Sequence, residues 1–116
     1  MFRKFALAAA LFCAASSALA LPSPSVPTYN YAHISTNATT VVDNRPGVLG
    51  TICVNTKGAS ANVLAVYDNA SAASGTVIAT LDTTSLGCYT YNVTAKLGIT
   101  VLTATGTAAD VTVAWR

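Results

Sequence analysis

The sequence predicts an all-β protein: a single eight-stranded antiparallel β-sandwich of jelly-roll-like type, preceded by a cleaved export signal. Three observations carry that expectation. Beyond residue 28 the chain is dense in Val, Thr, Ala, Gly and Asn, and Glu and Gln are absent from its whole length. β-Branched residues favour strands, and strong helix formers are too scarce to build helices. Short strand-like runs recur between clusters of Gly, Asn, Asp and Pro, and eight such runs at close spacing fit a sandwich or jelly roll.

The chain opens on a basic start, Met1-Phe-Arg-Lys4, followed by the apolar run Phe5 to Ala15 and a small-residue ending, Ala18-x-Ala20. That is the pattern of a secretory signal peptide over residues 1–20. The apolar run falls short of the ~20 residues a spanning helix needs, so cleavage rather than anchoring is expected. No membrane span is expected after it. Residues 21–28 hold Pro22, Pro24 and Pro27. They read as an extended linker, since proline suits neither helix interior nor inner strand. The sandwich is expected over residues 29–116, secreted or held in the periplasm or at a cell surface.

The strands follow in order. Tyr29 to Ser35 is the first, with Tyr29, Tyr31 and His33 on one face. Thr39 to Val42 is the second and ends at the turn Asp43-Asn-Arg-Pro-Gly47. Val48 to Asn55 is the third; alternation places Val48, Ile52 and Val54 on one face and Leu49, Thr51 and Cys53 on the other. Asn62 to Tyr67 is the fourth, ended by Asp68-Asn69. Thr76 to Leu81 is the fifth and Gly87 to Thr94 the sixth, with Tyr89, Tyr91 and Val93 together. Ile99 to Thr105 and Asp110 to Trp115 complete the set. Tyr89, Tyr91 and Trp115 are expected in the core.

The signal contains Cys13 and leaves Cys53 and Cys88 in the mature chain. Two cysteines in an exported chain most simply form one disulfide. They lack the CxxC spacing of a redox or metal pair. The bond closes a loop of roughly 36 residues, worth about 4 kcal/mol in the chain-entropy view. Each cysteine shares a face with threonine, Thr51 or Thr90, so the bond is expected on the outer side of a sheet or at a neighbouring edge. Removing Arg3 and Lys4 with the signal leaves Arg45, Lys57, Lys96 and Arg116 against Asp43, Asp68, Asp82 and Asp110. This balance gives no basic face for nucleic acid. It gives little repulsion between copies, and self-association or inclusion in a larger surface assembly is expected.

Several stretches carry a resemblance: Thr39-Thr-Val-Val42, Pro46-Gly-Val-Leu49, Val54-Asn-Thr56, Val66-Tyr-Asp-Asn-Ala-Ser71, Ser74-Gly-Thr-Val-Ile-Ala-Thr80, Leu97-Gly-Ile-Thr-Val101 and Ala108-Ala-Asp-Val-Thr-Val113. Over most of Tyr31 to Arg116 the chain resembles a family of small tailed-phage virion structural proteins. The resemblance implies a β-sandwich with a non-enzymatic assembly or surface-display role. It supplies no catalytic residues.

Groups for chemistry are few. His33 is the sole histidine, on a Tyr-rich strand, and is expected exposed or at an edge. A Ser-His-Asp arrangement would need it held by an acid and facing a hydroxyl. Asp68 and Asp82 flank one hairpin, which makes them the candidates for paired-carboxylate chemistry. With Asn69 they are also weak candidates for calcium; strand-end Asp more commonly caps its own turn. No catalytic residue, metal or cofactor is expected, and a hydrolase is the least favoured class. Tyr29 and Tyr31, beside the linker, are the candidates for contact with a partner. A binding module for a glycan or a cell-surface protein is the alternative function. Asn37-Ala-Thr39, Asn69-Ala-Ser71 and Asn92-Val-Thr94 match the glycosylation acceptor pattern. Such matches arise by chance in a chain rich in Asn and Thr, and none is expected to be used.

Overall fold

A computed structural model describes residues 28–116. The signal peptide and all but the last residue of the linker lie outside the described residues. Eight strands form: β1 (Asn30–Ile34), β2 (Thr39–Asp43), β3 (Gly47–Thr56), β4 (Val63–Asp68), β5 (Thr76–Asp82), β6 (Gly87–Ala95), β7 (Ile99–Ala104) and β8 (Asp110–Trp115). Each matches an expected strand to within a residue or two. They make two four-stranded antiparallel sheets, ordered β1-β8-β3-β6 and β2-β7-β4-β5. Successive strands thus go to opposite sheets except for the β4–β5 hairpin, and the last strand returns to lie between β1 and β3. That is the strand order of a jelly roll.

The core lies between the sheets. Leu49, Ile52, Val54, Val111 and Val113 of the first sheet face Leu64, Val66, Leu81, Ile99 and Val101 of the second, all buried. Tyr89, Tyr91 and Trp115 pack against this core, as expected. Strand β7 is buried over most of its length because it is central in its sheet, and its Thr100 and Thr103 hydroxyls donate to the carbonyls of Asn69 and Thr36 in neighbouring loops.

One expected face is wrong. Leu49, not Val48, joins Ile52 and Val54 in the core: Leu49 is fully buried and Val48 only half-buried. Between Leu49 and Thr51 the register shifts against both neighbours: Gly50 is an extra residue relative to β8, while Tyr91 and Asn92 of β6 stand opposite it, and the alternation of β3 reverses. Space there is tight: a Cβ on Gly50 would stand 3.1 Å from the Ala114 carbonyl oxygen and 2.7 Å from Cε1 of Tyr29, whose ring would have to move. The matching irregularity in β6 falls at Asn92, whose φ is +51°.

Cys53 and Cys88 are directly paired across β3 and β6, with Cα atoms 4.0 Å apart, and they form a disulfide. Strand β6 is an edge of its sheet, so the bond fastens that edge to the strand inside it.

Candidate functional site

The pleat and the pairings define what each sheet presents outward. On the first sheet, two rows cross all four strands. One is Tyr31, Ala114, Thr51, Thr90; the next is His33, Thr112, Cys53, Cys88. Beyond them Asp110 and Asn55 continue the face. His33 Nε2 lies 2.7 Å from Asp110 Oδ1, and Asn55 Nδ2 donates to the same oxygen at 3.1 Å and to Thr112 Oγ1 at 3.0 Å. These bonds hold the Asp110 carboxyl below the usual carboxylate range, Asn55 contributing most and His33 next. The cluster joins β1, β8 and β3. His33 and Asp110 lie 77 positions apart in sequence, and the pairing of β8 with both β1 and β3 brings the cluster together.

His33 is therefore exposed and on an edge strand, as expected, and it is also held by an acid. Its cross-strand neighbour Thr112 bonds Asn55, and among the described residues no hydroxyl bonds the ring. The dyad stands on an open sheet face. It can fix the orientation of β1 and present one carboxylate oxygen, but it lacks the hydroxyl and enclosure that nucleophilic catalysis uses.

Tyr31 is 75% exposed on this face, and Tyr29 is 41% exposed at its end. Tyr29 covers Gly50, and the Arg116 guanidinium carbon lies 5.5 Å from the centre of its ring. Tyr31 is thus the freer of the two contact candidates, while Tyr29 is partly committed to packing.

The acids of the β4–β5 hairpin do not meet. Asp68 pairs with Thr76 and Asp82 with Val63, which puts them at opposite ends of the hairpin, roughly 17 Å apart at the rise of a strand. The paired-carboxylate arrangement and a shared calcium site of Asp68, Asn69 and Asp82 are excluded by this geometry. Each acid instead shapes a turn. Asp68 accepts from the backbone N–H of Lys96 at 3.0 Å and of Leu97 at 2.7 Å. Asp82 accepts from the hydroxyl and N–H of Thr84 at 2.7 and 2.9 Å. The Asn69 side chain receives the N–H of Ser71 and of Ala72. Among the described residues no group of three His, Cys, Asp or Glu is placed to hold a metal ion.

The outer face of the second sheet differs in character. Its rows are Thr39, Leu102, Ala65, Thr80 and Val41, Thr100, Tyr67, Val77, with Ala104, Val63 and Asp82 beyond. Val41, Val63 and Val77 are exposed, and Leu102, Tyr67 and Ala65 half-buried. Asp82, at the rim, is the one charged residue among these positions. Sequence reading missed this face because its residues come from four strands and meet only through their pairing, which carries register shifts at Val42 and Ile78. Between the edges β1 and β2 there is also an open groove of about 390 Å³, bordered by Asn30, Val41, Asp43, Arg45 and Trp115. Among the described residues no helix is long and apolar enough to cross a membrane.

No family model matches the sequence, and no curated protein matches it. Among solved structures, the chain is similar to the Drosophila NLP core, whose crystal structure is described as giving insight into pentamer formation and histone binding. The TM-score is 0.49 at 13% identity, over 78% of this chain and 97% of that one. At that distance neither oligomeric state nor partner carries over.

Proposed function

We propose that this chain is an exported, non-enzymatic structural or surface-display module that works by assembling through a sheet face, like the phage virion assembly and decoration proteins it resembles. One observation carries the reading: the outer face of the β2-β7-β4-β5 sheet sets exposed Val41, Val63 and Val77 and half-buried Leu102, Ala65 and Tyr67 among three threonines and, inside its rim, holds no charge. Strand spacing and rise give it a footprint of roughly 400 Å², the size of the apolar patches that are often functional on monomers. The mature chain balances four cations against four acids, so copies meet without net repulsion. The Cys53–Cys88 bond accords with an oxidising compartment outside the cytoplasm.

Sedimentation velocity and negative-stain imaging of residues 21–116 test the proposal. Assemblies are expected at micromolar concentration. Val63→Asp with Val77→Asp should weaken them by more than about a hundredfold, because each unpaired buried carboxylate costs about 3 kcal/mol or more. A monomer throughout that range would sink the reading.

A second reading has an observation of its own. Tyr31 stands exposed on the same face as the Asn55, Asp110 and Thr112 polar groups, a combination suited to a sugar ring and its hydroxyls. Retention on a glycan array that is lost in Tyr31→Ala would favour this binding module over the structural role.

A further inference from the structure

The three Asn-x-Ser/Thr segments are treated differently by the fold. Asn37 Nδ2 donates to the Gly106 carbonyl at 2.9 Å, while its Oδ1 accepts from Asn62 Nδ2 at 2.8 Å. Asn62 is fully buried, so Asn37 closes a buried polar network. Asn69 Oδ1 accepts from the N–H of Ser71 and Ala72 at 2.9 and 3.0 Å, and its Nδ2 donates to the Ser74 carbonyl at 3.1 Å. Asn37 Nδ2 also faces the Thr105 carbonyl and Asn69 Nδ2 the Ser74 hydroxyl, so a sugar replacing one hydrogen of either amide would crowd the loop that the amide is bonded to.

Asn92 has no such duty. It is exposed, and so is Thr94. Among the described residues no side-chain hydrogen bond involves it. It lies at the irregularity of β6, an edge strand, with φ +51°. Asparagine adopts that backbone more readily than most residues.

The geometry points to Asn92 as the single N-glycan acceptor of the folded, exported chain, where the secretory pathway supplies a lipid-diphosphate-linked oligosaccharide and its transferase. This inference rests on the export reading. In the transfer, Nδ2 forms a bond to the anomeric carbon of the donor sugar and gives up one proton. The bond from that carbon to the diphosphate oxygen breaks, its electron pair leaving on the lipid diphosphate. A glycan there covers the free edge of β6, a strand edge open to unwanted pairing. It also lies on the opposite sheet from the apolar face and leaves that face open.

The full chain is expressed in a eukaryotic secretory cell line with its own leader, and in parallel with residues 1–20 replaced by a leader of the host. Peptide mass spectrometry follows, with and without an amidase that removes N-glycans and leaves Asp. The expected result is a glycan on the Asn92 peptide only. It should be lost in Asn92→Gln and in Thr94→Ala, which leaves the backbone at 92 untouched, and kept in Thr94→Ser. An unmodified Asn92 in secreted, disulfide-bonded protein overturns the inference, as does a glycan on Asn37 or Asn69. Secretion with the host leader alone overturns the export reading, and the Asn92 peptide of that version still decides the inference.

Discussion

Asn62 does more for this fold than any other polar residue. Its Nδ2 reaches Asn37 Oδ1 and the carbonyls of Ala104 and Thr105, at 2.8, 3.1 and 2.8 Å. Its Oδ1 accepts from Thr83 Oγ1 at 2.5 Å and from the Ala109 N–H at 3.3 Å. One buried amide therefore ties together four loops at one end of the sandwich. Asn62→Ala leaves several buried groups without partners and should cost about 3 kcal/mol, measured by urea unfolding. The carboxylates act at the surface and through pH. Backbone N–H groups of Lys96 and Leu97 hold Asp68 below the usual range; the Thr84 hydroxyl does the same for Asp82, and Asn55 with His33 for Asp110. A carboxyl whose pKa is lowered by folding contributes stability above its unfolded value. That contribution disappears as pH falls through the lowered folded value. Stability should therefore be level above about pH 5 and decline below about pH 4, and Asp68→Asn should flatten the decline in a pH series of thermal melts.

At the scale of elements, the disulfide decides how the first sheet ends. Reduction should lower unfolding stability by up to about 4 kcal/mol. Hydrogen exchange should rise first in β6, which keeps a neighbour on one side only. Exchange rates in β1, at the other edge, should change far less. The strands themselves were legible in the sequence, since short runs rich in β-branched residues between turn residues mark all eight. The pairing of Cys53 with Cys88 was legible from counting. The face of Leu49 was not, because alternation continues through Gly50 on paper, and only the approach of Tyr29 and the β8 backbone reveals the bulge. Asp68 and Asp82 look like neighbours when a hairpin is read as a point. The strand length between them separates them. The cluster of His33, Asn55, Asp110 and Thr112 depends on β8 lying between β1 and β3, a fact of topology that no local pattern contains.

For the whole molecule, the asymmetry between the two outer faces matters most. Both carry three threonines; one adds His33, Asn55, Asp110 and the disulfide, the other valines, Leu102 and Tyr67. Association through the second face should hardly change between low and high salt, since there are few charges to screen. It should weaken on cooling, as apolar contacts do. Sedimentation velocity across both series checks this, and a steep salt dependence would place the contact on another surface. The pairing of Asn30 with Trp115 has a mechanical consequence. The chain enters and leaves the sandwich at one corner, so tension applied between positions 29 and 116 peels β1 from β8 one rung at a time instead of shearing all rungs together. The molecule is weak as a tether along that direction. The bond between Cys53 and Cys88, spanning 35 positions, withholds about 120 Å of extension from the stretched chain, so an attachment that opens under load stops short of full length.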